Sequence, residues 1–288
     1  MIIQGGVGFF DSGLGGLNIL RECLSCLLGL PAYYYGDNEF APYGNKRKEE
    51  LAPRVFQAFE VFSALKVSAA VIACNTVTSL FLEELQEKYP FPIVGTFPFP
   101  NIPVEEGTAV LVTRGTAESP RVRALVKKMK NIRLVGCEEL AGEIERHLGE
   151  RGYDFTSFLP KITPKLVYLG CTHYPFIREQ IEKFYACRAV DNHGEVAKSL
   201  EKILKNTPKN EENPLGFLWR KRQGGFLRKF PPKNTLKKCR KKRFFRSLQP
   251  LYFLGSGRFK NSKFYKRMFV FTPKGEKVVK NSQNFSIF

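Results

Sequence analysis

Short apolar runs alternate with stretches of helically spaced apolar residues through about the first two hundred positions. The apolar runs predict buried strands at residues 7–10, 32–36, 69–73, 108–113, 132–136, 166–170 and 188–190. Helical spacing between these runs predicts helices at 17–30, 51–65, 79–88, 121–129, 138–148, 177–184 and 195–204. This alternation predicts an α/β fold in which helices flank mostly parallel sheets.

A segment rich in proline and glycine divides this pattern at residues 89–100, and we interpret it as the crossing between two domains. The first domain is expected at 1–96, completed by whatever part of the C-terminal segment returns to it. The second is expected at 97–205. We predict two pseudo-symmetric domains with the active site in the cleft between them, because ligands of α/β sheets bind at the carboxyl ends of the strands.

The tail at residues 206–288 differs in composition from the rest of the chain. Residues 1–205 contain 24 basic and 24 acidic side chains, whereas the tail contains 22 and 3, so the tail carries the whole net charge of +19. Only residues 250–257 and 269–272 have a strand-like pattern there. Its abundance of Lys, Phe and Asn is typical of an A/T-rich coding sequence read out of frame. We therefore hold a frameshifted ending as a hypothesis.

Composition excludes several classes of protein. No apolar run approaches the ~20 residues that span a bilayer, and the N-terminus lacks the features of a secretory signal. Seven cysteines without a regular framework favour a reducing cytoplasm. Cys23 and Cys26 lie in an apolar helical stretch without a second pair or a histidine, which favours plain thiols over a metal site. With neither a Walker-type phosphate motif nor a lysine in a pyridoxal-phosphate context, we expect no cofactor and no metal.

Two strand ends carry the same pattern of a cysteine followed by small polar residues. Cys74 follows the run at 69–73, and Cys171 follows the run at 166–170. A cysteine between a strand end and a helix start faces a ligand cleft, where the helix dipole favours the thiolate. One such cysteine alone is more often structural, but the repetition predicts paired thiols on opposite sides of one substrate.

A glycine-rich turn follows the first predicted strand, with the sequence DSGLGG at residues 11–16. Its glycines at 13, 15 and 16 permit a tight passage from strand to helix. Asp11 either caps the following helix or takes part in the chemistry of the cleft, and both interpretations stay open.

Four segments in this order resemble the glutamate racemases, which are cofactor-independent members of the aspartate/glutamate racemase superfamily. These segments are residues 10–17 (FDSGLGGL), 41–44 (APYG), 73–76 (ACNT) and 169–175 (LGCTHYP). The resemblance continues through 113–119 and Val190-Asp191, so that it covers about the first two hundred residues. It implies a cytoplasmic bacterial enzyme, a homodimer, that supplies D-glutamate for peptidoglycan, the cell wall and cell shape.

Racemisation of an amino acid removes the α-proton from one face and returns a proton to the other. Two bases on opposite faces, one anionic and one protonated, achieve this without moving across the substrate. Thiols suit the task because local positive potential lowers their pKa from about 8.5. The resemblance implies that Cys74 deprotonates D-glutamate and that Cys171 deprotonates L-glutamate.

The resemblance also implies helpers. Asp11 would orient a thiol or the substrate ammonium, and His173 would tune Cys171 and favour glutamate over aspartate. A glutamate on a helix of the second domain would assist Cys74. Glu145 is the best match for this glutamate, and Glu143 is the next best. Neutral donors would hold the substrate carboxylates without an arginine clamp. The substrate-binding residues expected are Asp11, Ser12, Tyr43, Gly44, Asn75, Thr76, Thr116, Thr172 and His173.

Three questions stay open at the level of the sequence. A racemase of aspartate, hydantoins or another small acid is an alternative within the same superfamily. Nucleic-acid binding by the basic, aromatic-rich tail is an alternative of another class. The family's chain returns to its first domain through an aromatic-x-x-Ser-Gly element, for which residues 253–257 (FLGSG) are a late match. Without an equivalent, the first domain would expose an edge strand and apolar surface.

Overall fold

A computed structural model describes residues 5–27, 30–97, 105–129, 131–206, 251–255, 269–272 and 275–278. Four parallel strands near the N-terminus form the centre of a first sheet, in the order β2-β1-β3-β4. They are β1 (Val7–Asp11), β2 (Ala32–Gly36), β3 (Ala69–Ile72) and β4 (Ile93–Gly95). Because Phe10 pairs with Ile72, strands β1 and β3 end at the same level of the sheet. Their carboxyl ends therefore bring Asp11 and Cys74 to one edge.

A second parallel sheet has the order β6-β5-β7-β8. Its strands are β5 (Thr108–Thr113), β6 (Ile132–Cys137), β7 (Leu166–Leu169) and β8 (Arg188–Val190). Strand β7 lies beside β5 and delivers Cys171 to the carboxyl edge of this sheet. The predicted α/β class, with mostly parallel sheets, is confirmed.

Three short strands of the tail extend the first sheet beyond β2. They are β9 (Leu251–Gly255), β10 (Phe269–Thr272) and β11 (Gly275–Val278). Strand β9 runs parallel to β2, β10 runs parallel to β9, and β11 is antiparallel to β10. The two strand-like segments predicted in the tail thus coincide with β9 and β10. The basic run at 237–243 lies outside the described residues, and the frameshift hypothesis stays untested.

Eight helices cover the sheets within the described part of the chain. They are α1 (Leu17–Cys23), α2 (Lys48–Ala64), α3 (Asn75–Lys88), α4 (Arg114–Glu118), α5 (Pro120–Lys128), α6 (Leu140–His147), α7 (Arg178–Tyr185) and α8 (His193–Asn206). Among the residues searched, no helix combines the length and the apolar character that a membrane span requires.

Both faces of the first sheet are covered by helices. On one face, Phe59 and Phe62 of α2 and Phe81 of α3 pack into a core with Phe10 and Ile72. On the other face, α1 packs against the sheet in a core that also contains the buried thiols of Cys23 and Cys26. These burials remove apolar surface from water, which is the main stabilising contribution to such a layered fold.

Helix α8 follows the second sheet in sequence, yet it packs on the first. Val196, Leu200 and Leu204 share the core that contains Ile19 and Leu20 of α1. The division at residue 205 stays a prediction, and these contacts favour a return of the chain to the first sheet before α8.

The proline-rich segment contains an element that the sequence analysis missed. Residues 93–95 form β4, whereas we had expected only a crossing there. Pro92 precedes the strand, and its carbonyl still accepts a hydrogen bond from the Ala70 N–H at 2.9 Å. Because β4 is an edge strand, flanking prolines cost it few ladder hydrogen bonds.

Candidate active site

The two cysteines line one small cavity between the sheets, each arriving from a different sheet. Cys74 stands between β3 and α3, and Cys171 follows β7, and each side chain is about 5% exposed. The cavity wall consists of Ser12, Pro42, Tyr43, Gly44, Cys74, Asn75, Thr76, Thr113, Ala141, Cys171, Thr172 and His173. This arrangement places thiols from two different sheets on one cavity.

Cys171 belongs to a hydrogen-bonded chain of three side chains. The His173 Nδ1 lies 3.7 Å from the Cys171 Sγ, and its Nε2 hydrogen-bonds to the Glu145 carboxylate. Burial alone would lower the pKa of His173, but the hydrogen bonds to Cys171 and Glu145 outweigh it and raise that pKa well above its usual value. The imidazolium can therefore donate to a Cys171 thiolate on one side and to Glu145 on the other.

Cys74 has different surroundings, which favour the protonated thiol. Burial is the main reason that the pKa of Cys74 is raised, and the nearby Asp11 carboxyl raises it further. Its Sγ lies 3.9 Å from the Ser12 hydroxyl and also accepts the Val77 N–H in the first turn of α3. The cavity thus combines a thiol paired with a cation and a thiol that keeps its proton.

Asp11 holds the glycine-rich turn that leads into α1, whose N-cap residue is Gly16, and it also raises the pKa of the Cys74 thiol. Its Oδ2 accepts hydrogen bonds from the N–H groups of Gly13 at 3.2 Å and Gly16 at 2.9 Å, which closes the glycine-rich turn before α1. Among the described residues, its buried Oδ1 has no hydrogen-bond partner. Burial raises the pKa of Asp11.

Glu145 lies on the Cys171 side of the cavity, where its carboxylate contacts His173. We had expected it beside Cys74, but its carboxylate contacts His173 on the Cys171 side and accepts the Leu14 N–H at 3.2 Å. Helix α6 presents Glu145 toward the turn of the first sheet. The alternative, Glu143, pairs instead with Arg146 and Tyr153 on the outer side of α6.

The start of α3 forms the part of the wall that is best suited to an anion. Cys74 keeps an extended backbone, so α3 begins at Asn75, four residues before the predicted start. The first turn of any helix has N–H groups without intrahelical acceptors, and these attract carboxylates. The Asn75 side chain donates to the Thr96 carbonyl at 3.0 Å, which fixes this turn against the end of β4.

Most of the expected substrate-binding residues lie on the cavity wall. Ser12, Tyr43, Gly44, Asn75, Thr76, Thr172 and His173 are among them. Thr116 is buried just behind the wall, where its hydroxyl lies 3.4 Å from the Thr76 hydroxyl and 3.0 Å from that of Thr113.

Sequence reasoning missed Pro42, Thr113 and Ala141 on the wall. For Thr113 a signal existed: it ends β5 and caps α4, the same strand-to-helix position that Cys74 occupies in the first sheet. The apolar Pro42 and Ala141 carry no chemical signal of this kind.

Gly15 leaves room for the His173 ring beside the cavity. A Cβ at this position would lie 2.6 Å from both the His173 Nδ1 and the Thr172 Oγ1. We expect Gly15→Ala to reduce turnover by about 10²-fold, because a displacement of about 1 Å at a reacting group costs that much. Gly194→Ala is the matched control, since nothing lies within 4 Å of its added Cβ. Enzyme rates and thermal unfolding of both variants check this; an unchanged rate in Gly15→Ala would contradict the geometry.

Solved structures share this arrangement of two sheets. A glutamate racemase isoform from Bacillus anthracis superposes with a TM-score of 0.64 at 24% identity, covering 89% of this chain and 90% of the other. Glutamate racemase from Escherichia coli, solved with L-glutamate and the activator UDP-MurNAc-ala, superposes with a TM-score of 0.63 at 30% identity, covering 72% and 85%.

Curated sequences agree with the structural comparison. A glutamate racemase from Clostridium botulinum is 32% identical over 226 residues, which cover 73% of this chain and 88% of that protein. Glutamate racemase 2 of Bacillus subtilis is 34% identical over 220 residues, covering 69% and 81%. No family model matches the chain.

The fold, the pair of thiols on one cavity and these relatives define an α/β isomerase. The chain belongs to the glutamate racemase family.

Proposed function

We propose that this chain interconverts L- and D-glutamate by two-base proton transfer between Cys171 and Cys74. The observation that carries the proposal is the pair of buried cysteines on one cavity, of which one adjoins a cationic histidine and the other is held as a thiol. A racemase needs one base and one acid at the same moment, and this asymmetry supplies both.

The reaction from L-glutamate begins with the Cys171 thiolate. Its sulfur takes the α-proton and becomes a thiol, while the electron pair stays on the substrate as a carbanion. Cys74 gives its proton to the opposite face, which forms D-glutamate and leaves a Cys74 thiolate. The Val77 N–H and the Ser12 hydroxyl lie ready to stabilise this thiolate. Starting from D-glutamate, the same steps run in reverse.

Neutral groups are proposed to hold the two substrate carboxylates. The candidates are the first turn of α3, with Asn75 and Thr76, and the hydroxyl of Thr172. Backbone N–H groups at a helix start bind carboxylates through partial charges. A carboxylate bound in this way remains electron-withdrawing, which favours loss of the α-proton. One thiol takes the α-proton and the other supplies the proton that replaces it, so we propose a reaction without a cofactor.

The test is incorporation of solvent deuterium at Cα of L- and D-glutamate, followed by NMR, with L-aspartate as the comparison. We expect exchange with inversion for glutamate, and for aspartate a rate lower by about 10-fold or more, because one methylene is worth about 10–200-fold in discrimination. Equal or faster exchange of aspartate would assign the enzyme to another small acid. Absence of exchange by the folded protein would overturn the proposal.

We further propose a cytoplasmic homodimer that supplies D-glutamate for bacterial peptidoglycan. Free thiols at Cys74 and Cys171 support a reducing compartment, which keeps cysteines available for chemistry. The alternative of nucleic-acid binding depends on the basic run at 237–243, which falls outside the described residues.

A further inference from the structure

An ion pair between a buried carboxylate and a half-buried arginine lies behind one wall of the cavity, away from the two thiols. Asp37, which follows β2, is only 1% exposed. Arg54 of α2 donates from Nη2 to the Asp37 Oδ1 at 2.8 Å and from Nε to its Oδ2, which makes a two-point contact. Such a fork fixes the orientation of a carboxylate as well as its charge.

The same carboxylate holds a residue of the cavity wall. The Tyr43 hydroxyl donates to the Asp37 Oδ2 at 2.6 Å. Burial first, and then the Asp37 charge, raise the pKa of Tyr43, so the phenol stays protonated and remains a donor. The Arg54 guanidinium also stacks over the Phe40 ring at 4.6 Å, and Phe40 in turn contacts Tyr43 edge-on. One arginine thus supports Tyr43 through two routes.

We call residues 42–45 the lip, because they connect the ion pair to the far side of the cleft. Pro42, Tyr43 and Gly44 line the cavity. A Cβ on Gly44 would lie 2.6 Å from the Cβ of Thr113 on the second sheet, so the two walls meet closely here. The lip has no room to adjust on that side, and its position is set from behind by Asp37 and Arg54.

Arg54 also neutralises the negative charge of Asp37 behind the cavity wall. A glutamate in the cavity brings two carboxylates, and an uncompensated Asp37 carboxylate behind Tyr43 would repel them through a poorly screened interior. The guanidinium cancels that charge at the point where it arises. It does so without entering the cavity, so the wall itself stays neutral.

We propose that Arg54 is a positioning residue for substrate binding, which acts through Asp37 and Tyr43 by fixing the lip and neutralising the charge behind it. The inference deepens the proposed function and rests on it for the identity of the substrate. It predicts a defect in KM with little change in kcat, because the reacting thiols and His173 are not contacted.

The test is a double-mutant cycle of Arg54→Met and Asp37→Asn. We expect Arg54→Met to raise KM for glutamate about tenfold or more, as for a buried charge that loses its partner, while kcat stays within about threefold. In the Asp37→Asn background, Arg54→Met should raise KM far less, because no buried carboxylate is left without its partner. Arg54→Lys should be intermediate, since it restores the charge without the fork. Arg47→Met removes an exposed arginine ion pair beside the same helix and is the control.

Hydrogen–deuterium exchange of the lip amides at 43–45 provides a readout that does not require turnover. We expect faster exchange of the lip in Arg54→Met than in the wild type and in Arg47→Met. Three results would each overturn the inference. The first is an unchanged KM in Arg54→Met, and the second is a rise in KM that is equally large with Asp37 and with Asn at position 37. The third is amide exchange of the lip in Arg54→Met that is as slow as in the wild type. If Arg54→Met does not fold, Arg54→Lys and Asp37→Asn supply the same comparisons. If the wild type does not turn over glutamate, the proposed function is overturned instead. The exchange rates of the lip amides would still test whether Arg54 fixes the lip.

Discussion

Replacing either Cys74 or Cys171 with alanine is expected to reduce interconversion of the glutamate enantiomers by about 10²–10⁴-fold, which is the range for losing a positioned acid or base. Each enantiomer needs one thiol to accept its α-proton and the other to donate from the opposite face. Because L- and D-glutamate have equal free energies, kcat/KM in the two directions must fall together. Rates of racemisation therefore cannot show which cysteine serves which enantiomer.

A partial reaction distinguishes the two cysteines. In Cys74→Ala, the Cys171 thiolate still reaches the α-proton of L-glutamate and can return a solvent-derived proton to the same face. We expect slow deuterium incorporation into L-glutamate with retention of configuration, and none into D-glutamate. Cys171→Ala is expected to show the reverse. NMR of the Cα position, combined with chiral chromatography of the product, measures exchange and inversion separately.

Cys187→Ala is the matched control for the two thiol variants. Cys187 is a free, partly exposed cysteine that packs against the core of the second sheet without lining the cavity. Its removal should leave racemisation within about twofold, since it touches no group of the proposed reaction. Loss of exchange for both enantiomers in both site variants, with the fold intact, would contradict the assignment of one face to each cysteine.

The positions of both thiols could be predicted because they depend on local rules. An apolar run makes a buried parallel strand, the strand ends at its carboxyl edge, and the next residue faces the cleft. That reasoning located Cys74 and Cys171 without knowledge of how the sheets meet. It also located the glycine-rich turn, in which the Gly16 N–H donates to the Asp11 carboxylate.

Contacts between the two sheets could not be predicted in the same way. Glu145 reaches Leu14 across 131 positions of sequence, and its contact with His173 depends on how α6 lies in the folded chain. Thr113 and the lip belong to different sheets and likewise meet only in the folded chain. Arg54 could not be singled out, because nothing in its sequence neighbourhood shows that Asp37 is buried beside it.

His173→Asn is expected to lower kcat/KM by about 10²–10³-fold in both directions, as when one hydrogen-bond donor to an anion is removed. The variant takes away the cation that adjoins the Cys171 sulfur and leaves Glu145 as a buried carboxylate without its charged partner. Cys74 and its surroundings stay intact. Exchange of D-glutamate with retention should therefore persist, whereas exchange of L-glutamate should be lost.

The pH dependence of stability gives an independent check on the charge of His173. Its pKa in the folded protein is raised above the usual value of about 6.5 because the bonds to Cys171 and Glu145 outweigh desolvation. A group of this kind contributes stability that is fully present below its unfolded pKa and is lost as pH rises through its folded pKa. The difference in unfolding free energy between wild type and His173→Asn should therefore shrink as the pH increases above the ordinary histidine range.

His147→Asn is the control for that titration, because His147 lies on the same helix as Glu145 but is partly exposed and stacks on Tyr153 outside the cavity. Denaturant unfolding across a pH series should give a curve for His173→Asn that converges on that of the wild type as the pH rises, with His147→Asn measured beside it to show the effect of losing a histidine outside the cavity. A pH-independent difference for His173→Asn would show that the histidine is neutral beside Cys171. In that case the thiolate would have to be stabilised by the backbone at the end of β7, and Glu145 would act only by holding the glycine-rich turn through the Leu14 N–H.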